Sequence, residues 1–405
     1  MLRVLVRSYR DAFSGLPRQV WVLASCLFVN RVGMMVMPFL ALYLADERGY
    51  EVGAAGRLVA LYGVGSILGV TAGGWLADRF GPRRVQLASL ATNALFLVLL
   101  GYARSTLAIG AAIVAASTAA DTFRPANGAA ISAAVGPESR ARAFSLMSLA
   151  VSAGLTFGLP LGGFLAELDF RWLFWIDGGT ALLACVVLWI FGERHSVPVP
   201  HDEASVPPTL SPWRDGRFLA FVLLQCATAT VLFQFFGALP VFLKRDLGFD
   251  ESDVGSLLAL NSILIALFEM QLVRRFEARP ALPLIAAGSF LICAGYGLNA
   301  LARGSIGAVA SVAVWTLGEM FFFPFAATFA TTRAPKGAVG RYLSVFQLGF
   351  AIPFVLAPLV GTALYEGRGP RFLWASCAAM GILVAGGHWL LQRGAARVTD
   401  PELTR

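Results

Sequence analysis

The chain has 405 residues, 57% of them hydrophobic and 14% charged, with a net charge of +8. A soluble domain carries about 25% charged residues, so this composition excludes an ordinary soluble enzyme and points to a lipid bilayer. Nucleic-acid binding would need a basic face on a soluble domain, and the sequence offers none.

The N-terminus has basic residues ahead of an apolar segment, in the manner of a signal peptide. That segment is too long and no small-residue cleavage site follows, so it reads as a retained first membrane helix. A transmembrane helix needs roughly 20 mostly apolar residues. Twelve such runs follow in order: 19–44, 56–77, 84–103, 107–132, 143–166 and 172–191, then 217–243, 252–273, 282–302, 305–330, 342–365 and 371–391. The expectation is an all-α, multi-pass membrane protein. Residues 1–192 form a six-helix bundle, 193–216 a Pro- and Ser-rich cytoplasmic linker, and 217–405 a second six-helix bundle. Placing both termini in the cytoplasm puts 21 of the 32 basic residues inside and 9 in the outer loops, as the positive-inside rule requires.

The halves also resemble each other. A shift of 199 residues lays Pro125 on Pro324, Arg142 on Arg341, Ser145 on Ser344, Gly162 on Gly361 and Trp175 on Trp374. Duplicated halves suit a transporter that works by alternating access.

Polar groups inside the spans are costly in a bilayer and therefore carry the functional argument. Span 1 has Asn30 and Arg31, and span 4 has Asp121, Arg124 and Asn127. Arg31 lies about a dozen residues into its span and Asp121 at similar depth, so the two are expected to pair, with Arg124 competing for the same carboxylate. That constellation either contacts substrate and couples transport or is a static salt bridge. Span 7 adds Gln225, Gln234 and the aromatic run holding Phe235, and span 8 adds Asn261 and Glu269. Span 10 holds Glu319 beside Met320 and Phe321–Phe323, with no cation nearby in its own span. A carboxylate in apolar surroundings that loads and releases a proton makes Glu319 the first candidate for a proton site, with Asp121 and Glu269 behind it. The aromatic stretches of spans 7 and 10 suit an amphipathic organic molecule, or else face lipid.

Several chemistries are excluded or unsupported. The five cysteines lie singly in apolar runs without CxxC spacing, and the three histidines are scattered, so no metal site is expected. Gly63, Gly65 and Gly69 lack the preceding strand and the spacing of a dinucleotide fingerprint, and no Walker A lysine motif appears. No cofactor is expected beyond a proton gradient, and no enzymatic activity.

Two motifs carry a family resemblance. The loop after span 2 reads GGWLADRFGPRR, with Gly74, Asp78, Arg79, Gly81, Arg83 and Arg84. It allows a tight turn at the membrane face and presents cations to an anionic cytoplasmic surface. Span 5 reads GLTFGLPLGGFLAEL, with Gly154, Gly158, Pro160, Gly162 and Gly163. Small residues at spacing four let two helices approach closely. The first motif resembles the loop of the major facilitator superfamily, and the second resembles the span-5 pattern of its drug–proton antiporters, with the proline one place late. The resemblance covers essentially the whole chain. It implies twelve helices in two pseudo-symmetric bundles, spans 1, 4, 7 and 10 lining a central cavity, and a latch in the first loop. It further implies export of a small, drug-like organic compound across the cytoplasmic (inner) membrane in exchange for protons, by a monomer. A proton-coupled carrier of peptides, sugars or metabolites, and a non-transporting receptor of the same fold, are the alternatives.

Overall fold

A computed structural model of the chain describes residues 15–193, 211–335 and 338–398. Most of the expected linker therefore lies outside the described residues. All twelve expected spans are helices: Arg18–Glu47, Val52–Phe80, Pro82–Tyr102, Thr106–Ala134, Arg142–Leu168 and Arg171–Phe191, then Gly216–Phe236, Glu251–Phe276, Ala281–Leu298, Ser305–Arg333, Arg341–Arg368 and Pro370–Arg393, numbered spans 1 to 12 below. No strand occurs among the described residues. Large apolar side chains such as Trp189, Leu223, Ile382 and Leu383 stand exposed on the spans. In water such surface would be a liability; in a bilayer it is the lipid face.

Local sequence sets the helix ends. Span 2 ends at Phe80, and Gly81 follows with φ +85°, a conformation glycine adopts freely. Pro82 then opens span 3 at the helix position where a missing N–H costs nothing. Asp215 caps span 7 by accepting from the Phe218 amide at 3.0 Å. It also accepts from Arg333 at 2.8 Å and from the Tyr342 hydroxyl at 3.1 Å. Burial alone would push its carboxyl up, but the Arg333, Phe218 and Tyr342 bonds together hold it below the usual carboxylate range.

Contacts gather the spans into two compact units that exchange pieces of the two sequence halves. The first takes residues up to Phe39, those from Leu61 through span 6, and Glu251–Ser262. In it span 3 packs on spans 4 and 6, and span 1 on spans 5 and 6. Its core includes Val20, Leu23, Cys26, Phe123, Met147 and Leu188. The second takes Leu40–Ala60, the residues from span 7 to Asp250, and those from Ile263 onward. In it span 9 packs on spans 10 and 12, and span 7 on span 11.

Two spans are interrupted. Span 1 is helical to Val32, breaks over Gly33–Met35, and resumes at Val36. Span 7 is helical to Leu232, tightens over Phe233–Phe236, turns at Gly237 and resumes at Ala238. Each resumed piece carries a proline at its third residue, Pro38 and Pro240. The interruptions match through the 199-residue repeat, which lays Met35 on Gln234. Helices broken at corresponding places of a duplicated membrane fold leave backbone groups that need partners, and such breaks are candidate ligand sites.

Candidate functional site

The break in span 1 is held from two sides. The glycines of span 5 lie directly against it: a Cβ on Gly154 would sit 2.6 Å from Arg31 Cβ, on Gly158 2.4 Å from the Val32 carbonyl oxygen, and on Gly162 3.0 Å from Met35 Cβ. Span 6 supplies the other side. Asp177, only 6% exposed, accepts from the Val36 amide at 3.3 Å, and Thr180 fills the space in front of Gly33. Gly163 meets Gly255 and the Glu251 carbonyl at the start of span 8 in the same unit. The span-5 motif is thus a packing surface for span 1 and the start of span 8.

The charges around that break differ from the sequence expectation. Asp121 is buried and its ion pair is with Arg124, one turn along its own helix, at 3.5 Å. It makes no ion pair with Arg31. The reason is azimuth: Arg31 leaves span 1 on the face packed against Gly154, and its guanidinium donates to the Met34 sulfur at 2.7 Å while its Nε is buried without a partner. Arg31 remains within electrostatic reach of Asp121, Arg124, Asp177 and Tyr62. Asn30 is half-buried beside it, and Arg124 is exposed. Asn127 is turned to span 3, where its oxygen accepts from Gln86 at 2.9 Å.

The break in span 7 is built from the same repeat with different residues. Gln234 donates to the Ala357 carbonyl of span 11 at 2.9 Å, and Gly361 leaves room for it. Phe233 and Phe236 pack on Phe354 at 4.2 and 5.5 Å, and Phe235 meets Trp315 of span 10 edge-on at 6.2 Å. Tyr296 of span 9 donates to the Leu232 carbonyl, the last of the helix before the break, at 2.7 Å. Glu319, 8% exposed, lies within electrostatic reach of Tyr296. Spans 9 and 10 hold no cation between Ala281 and Leu298 or between Ser305 and Thr332. Glu269 and Asn261 are both half-buried on span 8.

The first loop holds its motif residues at a helix end. Arg79 stacks over Trp75 and Phe80 at 5.3 and 5.6 Å, and Arg83 donates to the Trp189 carbonyl at 2.8 Å. Asp78 and Arg84 are exposed, and a Cβ on Gly74 would meet nothing.

Sequence reading missed four groups. Asp177 and Tyr62 join the span-1 constellation, and Tyr296 joins Glu319. The fourth is an ion cluster at the far ends of the interrupted spans: Asp46 bonds Arg245 at 2.7 Å and Lys244 at 3.1 Å. Beside it Asp246 accepts from Tyr365, and Glu366 accepts from the Gly53 amide at 2.8 Å. Asp46 and Arg245 stand 199 residues apart, at equivalent positions of the repeat. Partly exposed pairs are each worth about 1 kcal/mol or less, but like charges in their place cost more. Asp46→Arg should lower the melting temperature of the purified protein by a few degrees, roughly what 1–2 kcal/mol gives. Adding Arg245→Asp should recover most of that fall, and a double variant no better than the single one would refute the pairing.

The comparisons with known proteins agree with this architecture. The family described as Major Facilitator Superfamily matches residues 23–358. The multidrug resistance protein MdtH of Aeromonas hydrophila is 28% identical over 355 residues, covering 85% of this chain and 87% of that protein. A Na(+), Li(+), K(+)/H(+) antiporter of Planococcus maritimus is 22% identical over 374 residues, covering 82% and 86%. Among solved structures, a POT family transporter in complex with a thioalcohol-conjugated peptide superposes with a TM-score of 0.80 at 16% identity, covering 96% of this chain and 99% of that one. A mutant of the nucleoside transporter NupG gives 0.79 at 12% identity, covering 92% and 100%. At those identities the structural likeness speaks for the fold.

Proposed function

The chain is a multi-pass transporter of the Major Facilitator Superfamily, and we propose that it exports a small amphipathic organic compound from the cytoplasm in exchange for protons. The observation that carries this reading is the buried carboxylate beside each interrupted span, Asp177 at span 1 and Glu319, through Tyr296, at span 7. A carboxylate that changes partner when protonated is the simplest means of tying proton movement to a change in backbone shape. The aromatic lining of the span-7 break, from Phe233 to Phe236 with Trp315 and Phe354, favours an amphipathic substrate over a sugar. Relatives named multidrug resistance protein support the same class. In this reading the machine is a monomer in the cytoplasmic membrane with both termini inside. Residues 1–192 and 217–405 are its duplicated halves, 193–216 is a cytoplasmic linker, and the proton gradient is its only energy source.

The test is transport by the full chain in proteoliposomes under an imposed pH gradient, against ethidium, norfloxacin and dialanine. Gradient-driven accumulation of ethidium or norfloxacin is the expected result. Movement of dialanine alone would favour the peptide-carrier reading, and no movement of any probe would overturn proton-driven export of an amphipathic compound.

A further inference from the structure

We infer that Asp177 is a second coupling carboxylate, which exchanges its bond to the Val36 amide for a proton and so sets the bend of span 1. The inference rests on the proton-exchange reading above and extends it to a residue other than the carboxylates Asp121, Glu269 and Glu319.

Asp177 is 6% exposed and is the seventh residue of span 6. A buried carboxylate is costly in its charged form unless it is paired or well hydrogen-bonded. Among the described residues Asp177 makes no ion pair within 4 Å; its carboxylate accepts from the Val36 amide at 3.3 Å and also faces the Met35 amide. That amide belongs to the first residue after the break in span 1, so no earlier turn of the same helix satisfies it. The two needs meet: a buried carboxylate that makes no ion pair within 4 Å among the described residues, with Arg31 only in electrostatic reach, and a backbone N–H without a helix partner.

Protonation changes this bond qualitatively. An ionised carboxylate only accepts hydrogen bonds, whereas a protonated one gains an O–H donor and accepts more weakly. In the protonated state the Val36 amide loses its charge-assisted acceptor, and the break can adopt another geometry. The local architecture confines the response to the break. Span 5 glycines clamp the helix up to Val32, and Thr180 blocks Gly33 while donating to the Asp177 carbonyl at 2.9 Å. Arg31, two residues before the break, is the charge that such a bend would carry.

The titratable groups around Asp177 are few. Span 1 contributes Arg31, and span 2 contributes Tyr62, both within electrostatic reach. Span 3 has no charged side chain after Arg84, and its Tyr102 sits on Trp175 of span 6 at 6.0 Å. Span 5 has no titratable side chain between Arg142 and Glu167.

Asp177→Asn separates the two roles, because the amide oxygen still accepts from Val36 but the group no longer titrates. In proteoliposomes of the full chain with ethidium as probe, this variant should keep ethidium–ethidium exchange near the wild-type rate. It should lose pH-gradient-driven accumulation by about tenfold or more. Gradient-driven accumulation equal to wild type overturns the proposal, and equal loss of exchange and accumulation shows a merely structural cap and also overturns it. If the wild-type chain itself drives no probe with a pH gradient, the proton-exchange reading fails first and takes this one with it. A second measurement needs no variant. Dicyclohexylcarbodiimide modifies protonated carboxyls in apolar surroundings, so peptide mapping of the wild-type chain should find Asp177 modified several-fold more at about pH 6 than at about pH 8. No modification, or modification independent of pH, overturns the assignment.

Discussion

Glu319→Gln should abolish pH-gradient-driven accumulation, by about tenfold or more, while exchange of substrate across the membrane without a gradient continues. Glutamine keeps the length and the acceptor oxygen of the side chain but cannot take up a proton. The expected selectivity follows from where Glu319 sits. It is buried on span 10 beside Tyr296, and Tyr296 holds the Leu232 carbonyl at the lip of the span-7 break. A change of charge on Glu319 is therefore felt one hydrogen bond away from the irregular backbone. Tyr296→Phe tests the same path from the other end: it keeps the ring packing on Trp315 and removes only the bond to Leu232. Both variants should shift the pH profile of transport. An unchanged profile in Glu319→Gln, with gradient-driven accumulation intact, would eliminate the residue as a proton carrier and return its role to packing.

The twelve spans were legible because bilayer thickness forces apolar runs of a fixed length, and those runs survive any tertiary arrangement. The breaks in spans 1 and 7 were not, because VGMMVMPFLALYL and FQFFGALPVFL are as apolar across the interruption as on either side. Hydropathy reports burial in lipid and is blind to whether backbone hydrogen bonds close locally. The Arg31–Asp121 expectation failed for a related reason. Counting residues along a span gives depth, but which way a side chain leaves its helix depends on the neighbour, and for span 1 that neighbour is the glycine face of span 5. Asp177 was readable as a lone carboxylate in FWIDGGTAL, yet it stands near the start of its span, where a charge ordinarily reaches headgroups. Only the fold shows it turned inward to the Val36 amide.

Gly158→Val should be the most damaging single substitution in the span-5 motif. A Cβ there would lie 2.4 Å from the Val32 carbonyl oxygen, a backbone atom that cannot rotate away. Overpacking a tight site costs about 1–3 kcal/mol when side chains can adjust, and here the helices themselves must separate. In a bilayer that separation is not offset by hydrophobic driving force, since close van der Waals packing is itself what associates the helices. The purified variant should therefore melt several degrees lower than wild type, on the order of what 2–3 kcal/mol gives. The matched control is Gly179→Ala on span 6, where a Cβ meets nothing within 4 Å and stability should not change. The clash falls on Val32, the last helical residue before the break, so the substitution acts on the hinge as well as on the fold. If a milder Gly158→Ala variant melts like wild type yet loses gradient-driven transport, the glycine serves the movement of span 1. If transport falls only in step with stability, it serves assembly alone. Full stability and full transport in Gly158→Val would contradict the contact between spans 1 and 5 on which both the hinge and the Asp177 bond depend.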